Sequence, residues 1–346
     1  MPSNRDFLLL VIWLAVAAGL LLASSKDEVR GIAPPPAALK KLNALDPSAI
    51  REVHLSAGGE DFVMAREGDG WIVPTWFDTP AESEKVESLL GMLIALGGAE
   101  PRGASSRSHA TFAVTEDDYQ IELRGEGEGL PFILTVGKVA AFDRFFARFG
   151  DDAGVYSLTP NLRLGAELGN VLNPEKWLNL LVVEIPEQIE ITGFRIETEA
   201  GVIVVDHVTE ETTTPSGEPA TVVTWKVVEP EVFEAELDIV RSLQKSVRTI
   251  RAATVVDPAR LAETGLENPR GNLTVFIRDG EPIVIELGEE GESAKAKGRR
   301  GVFARRRGSE RLFLLPTWME TNLFKQLDQF RTAPPAPPIP PTPTGE

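Results

Sequence analysis

Cysteine is missing from the 346 residues, and histidine occurs only three times. Without cysteine there are no disulfides, thiolate zinc sites, iron–sulfur ligands or cysteine nucleophile. His54, His109 and His207 lie far apart, so no HExxH or HxH spacing exists. Each reads as a strand or loop residue. No GxSxG elbow occurs, and Ser105, Ser106 and Ser108 beside His109 make no recognisable triad. Positive charge is scarce: 35 Lys and Arg face 52 Asp and Glu, a net charge of −17. An acidic chain argues against general nucleic-acid binding, which needs cations to displace counterions.

What is present begins with Phe7 to Ala23, FLLLVIWLAVAAGLLLA, a run without a charge. At about 1.5 Å per residue such a helix just spans a hydrocarbon core. It is longer than the usual core of a cleaved signal, so a retained single-pass anchor is expected. Arg5 precedes it, and Lys26, Arg30, Lys40 and Lys41 follow, so flanking charge does not favour export. A lone N-terminal helix ahead of a large body is nevertheless the usual plan for export. The expected arrangement is therefore a body exported across the membrane that holds the anchor. The expected organisation is a tip (1–6), the anchor (7–23), a Pro-containing linker (24–48), two domains (49–184 and 185–331) and a Pro-rich tail (332–346). The linker carries Pro34-Pro35-Pro36 and reads as a stiff spacer. The tail, TAPPAPPIPPTPTGE, reads as extended polyproline II.

Between linker and tail the sequence echoes itself. FFARFGDDAGVYSL contains Phe146-Ala147-Arg148 and Tyr156; VFARRRGSERLFLL contains Phe303-Ala304-Arg305 and Phe313. Each has two apolar stretches around a charged, Gly-containing turn, the pattern of a hairpin. Upstream, LPFILTVG ending at Gly137 parallels EPIVIELG ending at Gly288, and Trp71-Ile72-Val73 parallels Trp225-Lys226-Val227. A helix follows each Trp strand. The first is expected to start at Thr79 (N-cap) with Pro80 and Glu82, to carry Val86, Leu89, Leu90, Leu93 and Ile94 on one face, and to end at Gly97. The second carries Phe233, Leu237, Val240, Leu243, Val247 and Ile250. The expected class is α+β: two tandem repeats, each an antiparallel sheet with a packed amphipathic helix. Trp71 and Trp225 are expected as core anchors.

Chemistry is harder to find. Gly125-Glu126-Gly127-Glu128-Gly129 resembles a phosphate loop, but a strand follows it and the glutamates repel phosphate, so a hairpin turn is expected. Asp117-Asp118 and Asp151-Asp152 lack the alternate ligands of a calcium loop. Neither catalytic residues, a cofactor nor a metal is assigned. The one local anomaly is basic: Lys295, Lys297, Arg299, Arg300, Arg305, Arg306, Arg307 and Arg311 crowd one stretch of an acidic chain. Only Arg144 and Arg148 occupy the corresponding stretch of the first copy, so the run is a candidate contact patch for an acidic partner surface or lipid headgroups.

An apolar N-terminal helix, Trp strands, amphipathic helices, strand-Gly hairpins and closing aromatic pairs together resemble the bacterial domain-of-unknown-function 4340 (DUF4340) family. Thr264-Gly265-Leu266-Glu267-Asn268-Pro269 is similar to that family's GL-x-x-P segment; Phe112-Ala113-Val114-Thr115-Glu116-Asp117 lacks its Gly and Pro. The resemblance implies a single-pass membrane protein, often encoded beside gliding-motility-type ABC transporter parts, and supplies no catalytic residue. The function expected is that of a membrane-tethered, non-catalytic accessory of the cell envelope, with ABC transporter subunits as candidate partners. Two alternatives stay open. One is an envelope hydrolase or carbohydrate-acting enzyme with carboxylates in a cleft between the repeats; the other is a scaffold that binds lipid or cell wall through the basic hairpin.

Overall fold

A computed structural model describes residues 37–213, 219–296 and 298–331, with no side-chain description for 210–222. The apolar run Phe7–Ala23, most of the linker and the Pro-rich tail lie outside the described residues. Among those described, no helix is long and apolar enough to cross a membrane. The chain divides into two compact units between Asn179 and Leu180, a few residues before the expected boundary at 184/185.

The first unit starts with α1 (Ala37–Asn43) and a 3₁₀ turn at Pro47–Ala49, then β1 (Ile50–Ala57), β2 (Glu60–Glu67), β3 (Gly70–Val73) and β4 (Thr79–Pro80). α2 (Ser83–Ile94), β5 (Gly97–Gly103), α3 (Ser106–Phe112), β6 (Tyr119–Gly125), β7 (Phe132–Ala141), β8 (Arg144–Phe149), β9 (Val155–Thr159) and α4 (Leu162–Gly165) complete it. The nine strands form one antiparallel sheet in the order β4-β3-β2-β1-β6-β7-β8-β9-β5. β6 buries Tyr119, Ile121 and Leu123 and turns Gln120 and Glu122 outward, the period-two pattern of a sheet with one dry face. α2 buries Val86, Leu89, Leu90 and Leu93, each worth about 1.5–3 kcal/mol of burial.

The second unit runs through β10 (Leu181–Glu184), β11 (Ile191–Thr198), β12 (Gly201–Thr213), β13 (Pro219–Glu229), β14 (Phe233–Glu234), α5 (Leu237–Arg248), β15 (Thr249–Arg251) and β16 (Thr254–Val256). It continues with β17 (Gly271–Ile277), β18 (Ile283–Glu292), β19 (Arg300–Arg306), β20 (Leu312–Leu315) and α6 (Thr317–Leu323). Its large sheet has the order β14-β13-β12-β11-β17-β18-β19-β20-β16, again antiparallel, while β10 and β15 pair separately. α5 buries Val240, Leu243 and Val247 and packs against β10, β15 and α6.

Position for position, the strand order of the two sheets is the same, and details recur with it. Ala147 faces Tyr156 across β8–β9, and Ala304 faces Phe313 across β19–β20. The glycine that ends each strand-Gly motif sits where the ladder shifts register, between Val136 and Val139 and between Leu287 and Glu290. A Cβ on Gly137 would overlap the Phe112 carbonyl, and one on Gly288 the Thr264 carbonyl. The recurrence of glycine there is a matter of space.

Several local expectations are corrected. Thr79 and Pro80 do not cap a helix; they form β4 and pair with Val73 and Ile72. α2 begins at Ser83 after Glu82, whose side chain makes no cap bond, and its C-cap is Ala95 rather than Gly97. Phe233 and Ile250 belong to β14 and β15, which bracket α5. The spacer is folded from Ala37 onward: Leu39, Leu42 and Leu45 are buried, and Asn43 Nδ2 donates to the Ile94 and Leu96 carbonyls at 2.9 Å. Trp71 is buried, with Nε1 donating to Glu87 at 2.8 Å. Trp225 is only half-buried and stacks on His207, ring centroids 4.9 Å apart.

One feature of the second unit has no counterpart in the first. β12 pairs with β11 only from Gly201 to Asp206, and β13 pairs with β14 only at Lys226 and Val227. Beyond these points, His207–Thr213 and Pro219–Trp225 pair with each other alone among the described residues. At about 3.4 Å per residue the two strands run some 20 Å past the sheet as a ribbon.

Candidate functional site

The basic run does not form one patch. β19 carries Arg300 at one end and Arg306 at the other, six residues and about 20 Å apart. Lys295, Arg299 and Arg300 fall at the β18–β19 end, where all are exposed; Lys297 lies outside the described residues. Arg306, Arg307 and Arg311 fall at the β19–β20 turn. A strand that crosses the sheet separates what is contiguous in sequence.

Arg305, between the two groups, has a structural task. Its Nε and Nη2 donate to Glu286 Oε2 at 2.9 and 2.6 Å, and Nη2 also reaches the Leu266 carbonyl at 3.2 Å. Arg148 occupies the same place in the first sheet and donates to the Val114 carbonyl at 2.9 Å. The arginine of each Phe-Ala-Arg motif therefore pins the loop that leads into β6 or β17. Arg307 Nε donates to the other oxygen of Glu286 at 2.7 Å. Burial alone pushes the Glu286 carboxyl up, but hydrogen bonds from Arg307 and Arg305, with their charges, outweigh it and hold the group below the ordinary glutamate range. Glu286 went unrecognised in the sequence. The available signal was a carboxylate inside the apolar run Ile283-Val284-Ile285-Glu286-Leu287.

The β19–β20 turn is ordered from its backbone: Ser309 N–H donates to Arg306 O at 3.0 Å, Arg311 N–H to Ser309 Oγ at 3.2 Å, and Arg307 N–H to Val284 O at 2.9 Å. Gly308 takes a φ of +85°, the left-handed region open to glycine. Beside the turn is a recess of about 320 Å³ lined by Arg306, Arg307, Arg311, Ser309 and Val182 and floored by Phe313. The Arg311 guanidinium lies 5.7 Å from the Phe313 ring centroid.

A second cavity, of about 580 Å³, opens where the β11–β12 turn, the start of β17 and α6 meet. Arg270 reaches into it, Nε donating to Gly288 O at 2.6 Å and Nη2 lying 2.6 Å from Glu320 Oε1. Glu199 and Glu289 stand exposed on its lining. None of these residues was singled out in the sequence, because Arg270, Glu289 and Glu320 come from three separate elements. Among the described residues no group of three His, Asp or Glu side chains is placed to hold a metal ion.

The remaining sequence candidates have local explanations. Gly125–Gly129 connects β6 to β7, as a hairpin turn. Asp118 Oδ2 accepts from Thr115 N and Oγ1 at 2.8 and 2.6 Å; Asp152 accepts from Gly154 N at 2.8 Å and from the Tyr156 hydroxyl at 3.2 Å. Burial first, then the Asp152 charge and hydrogen bond, push the Tyr156 hydroxyl up to about 12. Ser105 caps α3 by accepting from Ser108 N, and His109 Nε2 lies 2.8 Å from the Ala153 carbonyl. His54 pairs with Glu52 at 2.7 Å.

Compared with known proteins, residues 225–335 match the family model described as "Domain of unknown function (DUF4340)", the family expected from the sequence. The match starts at Trp225 and takes in α5, β15 to β20 and α6, with both the Arg recess turn and Glu286 inside it. No curated protein and no solved structure matches the chain.

Proposed function

We propose that this chain is a membrane-tethered, non-catalytic interaction protein of the bacterial cell envelope that assists an ABC-type export system. In this reading Phe7–Ala23 is the anchor in the inner membrane, and the folded body is displayed on the periplasmic side. The two units are tandem repeats of one design, a reading supported by their shared strand order.

The ribbon of β12 and β13 is the observation that carries the interaction role. Isolated two-stranded ribbons are marginal in water and expose unpaired backbone donors and acceptors along both edges. The sequence from His207 to Trp225 is rich in Thr and Val and contains no Lys or Arg, its guarding residues being Glu210, Glu211 and Glu218 and two prolines, so a partner strand that pairs with it is expected to be basic. An edge of this kind takes up a strand from a partner by main-chain hydrogen bonding. The first unit, with β3 only four residues long, offers nothing equivalent.

The test is affinity purification of the full chain from membranes, beside a variant in which residues 210–222 are replaced by Asn-Gly. Thr209 and Val223 face each other, so a two-residue turn closes the shortened hairpin. Transporter subunits should co-purify with the natural chain and be lost from the shortened one. Equal recovery from both, or a natural chain without any partner, overturns the proposal.

A further inference from the structure

We infer that the recess at the β19–β20 turn is a binding site for a phosphate ester. The site is independent of the ribbon. Arg306, Arg307 and Arg311 line one concavity of about 320 Å³ in a chain whose net charge is −17, and Arg306 and Arg311 leave their guanidinium groups free for a ligand there. Two of the cations are not consumed by the fold. Arg306 and Arg311 make no ion pair among the described residues, whereas Arg307 turns Nε to Glu286 and Nη2 to Asn272 Oδ1 at 3.4 Å and serves to hold the start of the turn. Glu310, in the same turn, does not line the recess.

Guanidinium groups are planar forks that grip oxyanions through paired N–H donors. Two of them, from Arg306 and Arg311, can share the several oxygens of one phosphate group. The rigid parts favour a preformed site: Glu286 fixes Arg307, Phe313 lies under Arg311, and the Ser309 hydroxyl holds the turn at Arg311 N. At the small end of ligand-site volumes, the recess admits a headgroup-sized molecule. The apolar wall given by Val182 and Phe313 suits the carbon side of an ester. The ester is the headgroup of an anionic phospholipid or a soluble phosphate ester; both present the same group to the arginines.

The full chain in non-ionic detergent micelles is titrated with inorganic phosphate, glycerol phosphate, and micelles doped with phosphatidylglycerol, each followed by ³¹P NMR line broadening. Three proteins are compared: the natural chain, the double variant Arg306→Gln/Arg311→Gln, and Arg300→Gln at the other end of β19. Arg307 is left in place because it holds Glu286. Broadening by the natural chain and by Arg300→Gln, weakened roughly tenfold or more in the double variant, supports the site. Displacement of glycerol phosphate by the doped micelles assigns a lipid headgroup; binding of glycerol phosphate without displacement assigns a soluble ester. Equal weakening by Arg300→Gln and the double variant shows diffuse charge attraction and overturns the site, as does no broadening by any probe. A natural chain that binds phosphate but recovers no transporter subunit would instead overturn the function proposed above.

Discussion

Glu286→Gln is the sharpest test of how the second unit is held together. The carboxylate is 7% exposed and takes three hydrogen bonds from two arginines. The amide keeps one accepting oxygen and turns an NH₂ toward the other guanidinium. If that oxygen stays with Arg305, two bonds between opposite charges become bonds from a cation to a neutral amide, at a cost of about 1–2 kcal/mol. The Arg307 side chain is half exposed and turns to water, so its share is screened to below about 1 kcal/mol. The expected loss is about 1–3 kcal/mol, or roughly 2–12 °C in the melting of a unit this size, read by scanning calorimetry of the full chain in detergent. The pH dependence follows from the sign of the shift. A carboxyl held low in the folded state adds stability that is complete above the ordinary glutamate range and is lost as pH falls through the folded value. The gap between natural chain and variant should therefore be full at pH 7 and close in acid. Glu289→Gln, at an exposed carboxylate without an ion pair among the described residues, should stay within about 0.5 kcal/mol. A gap below about 1 kcal/mol at pH 7, or one that persists unchanged in acid, would refute the account of Glu286.

Gly288→Ala should destabilise the second unit by about 3 kcal/mol in urea titration, because the new Cβ overlaps the Thr264 carbonyl in a fully buried contact. Ala113→Gly should raise the stability of the first unit by about 0.5 kcal/mol: Ala113 holds a φ of +54° where the second unit places Gly265 at +73°. Leu42→Ala should cost the first unit about 2–4 kcal/mol, since Leu42 is fully buried; no change would mean that α1 is a detached spacer.

The sequence by itself determined much of this molecule. Period-two alternation marked β7 and β18, because a sheet with one dry face forces it. The paired Phe-Ala-Arg and strand-Gly motifs recur because the arginine must reach a loop carbonyl and the glycine must pass a backbone oxygen. Helix existence was legible from the leucine and valine stripes. Helix ends were not, because Thr79-Pro80 and Phe233 read as helical starts but satisfy their backbones in strand pairs with β3 and β13. Pairing depends on a distant strand, and a local reading cannot see it.

Only tertiary structure decided the candidate sites. Eight cations in one stretch look like a patch, yet β19 parts the described ones between its two ends, and Glu286 takes up Arg305 and Arg307. What is left is a three-arginine recess completed by Val182, more than a hundred residues away in sequence. The ribbon likewise became a candidate docking edge only once β11 was seen to stop short of it. Charge is a property of composition, but a site needs convergence, and convergence is set by which strands the fold brings together.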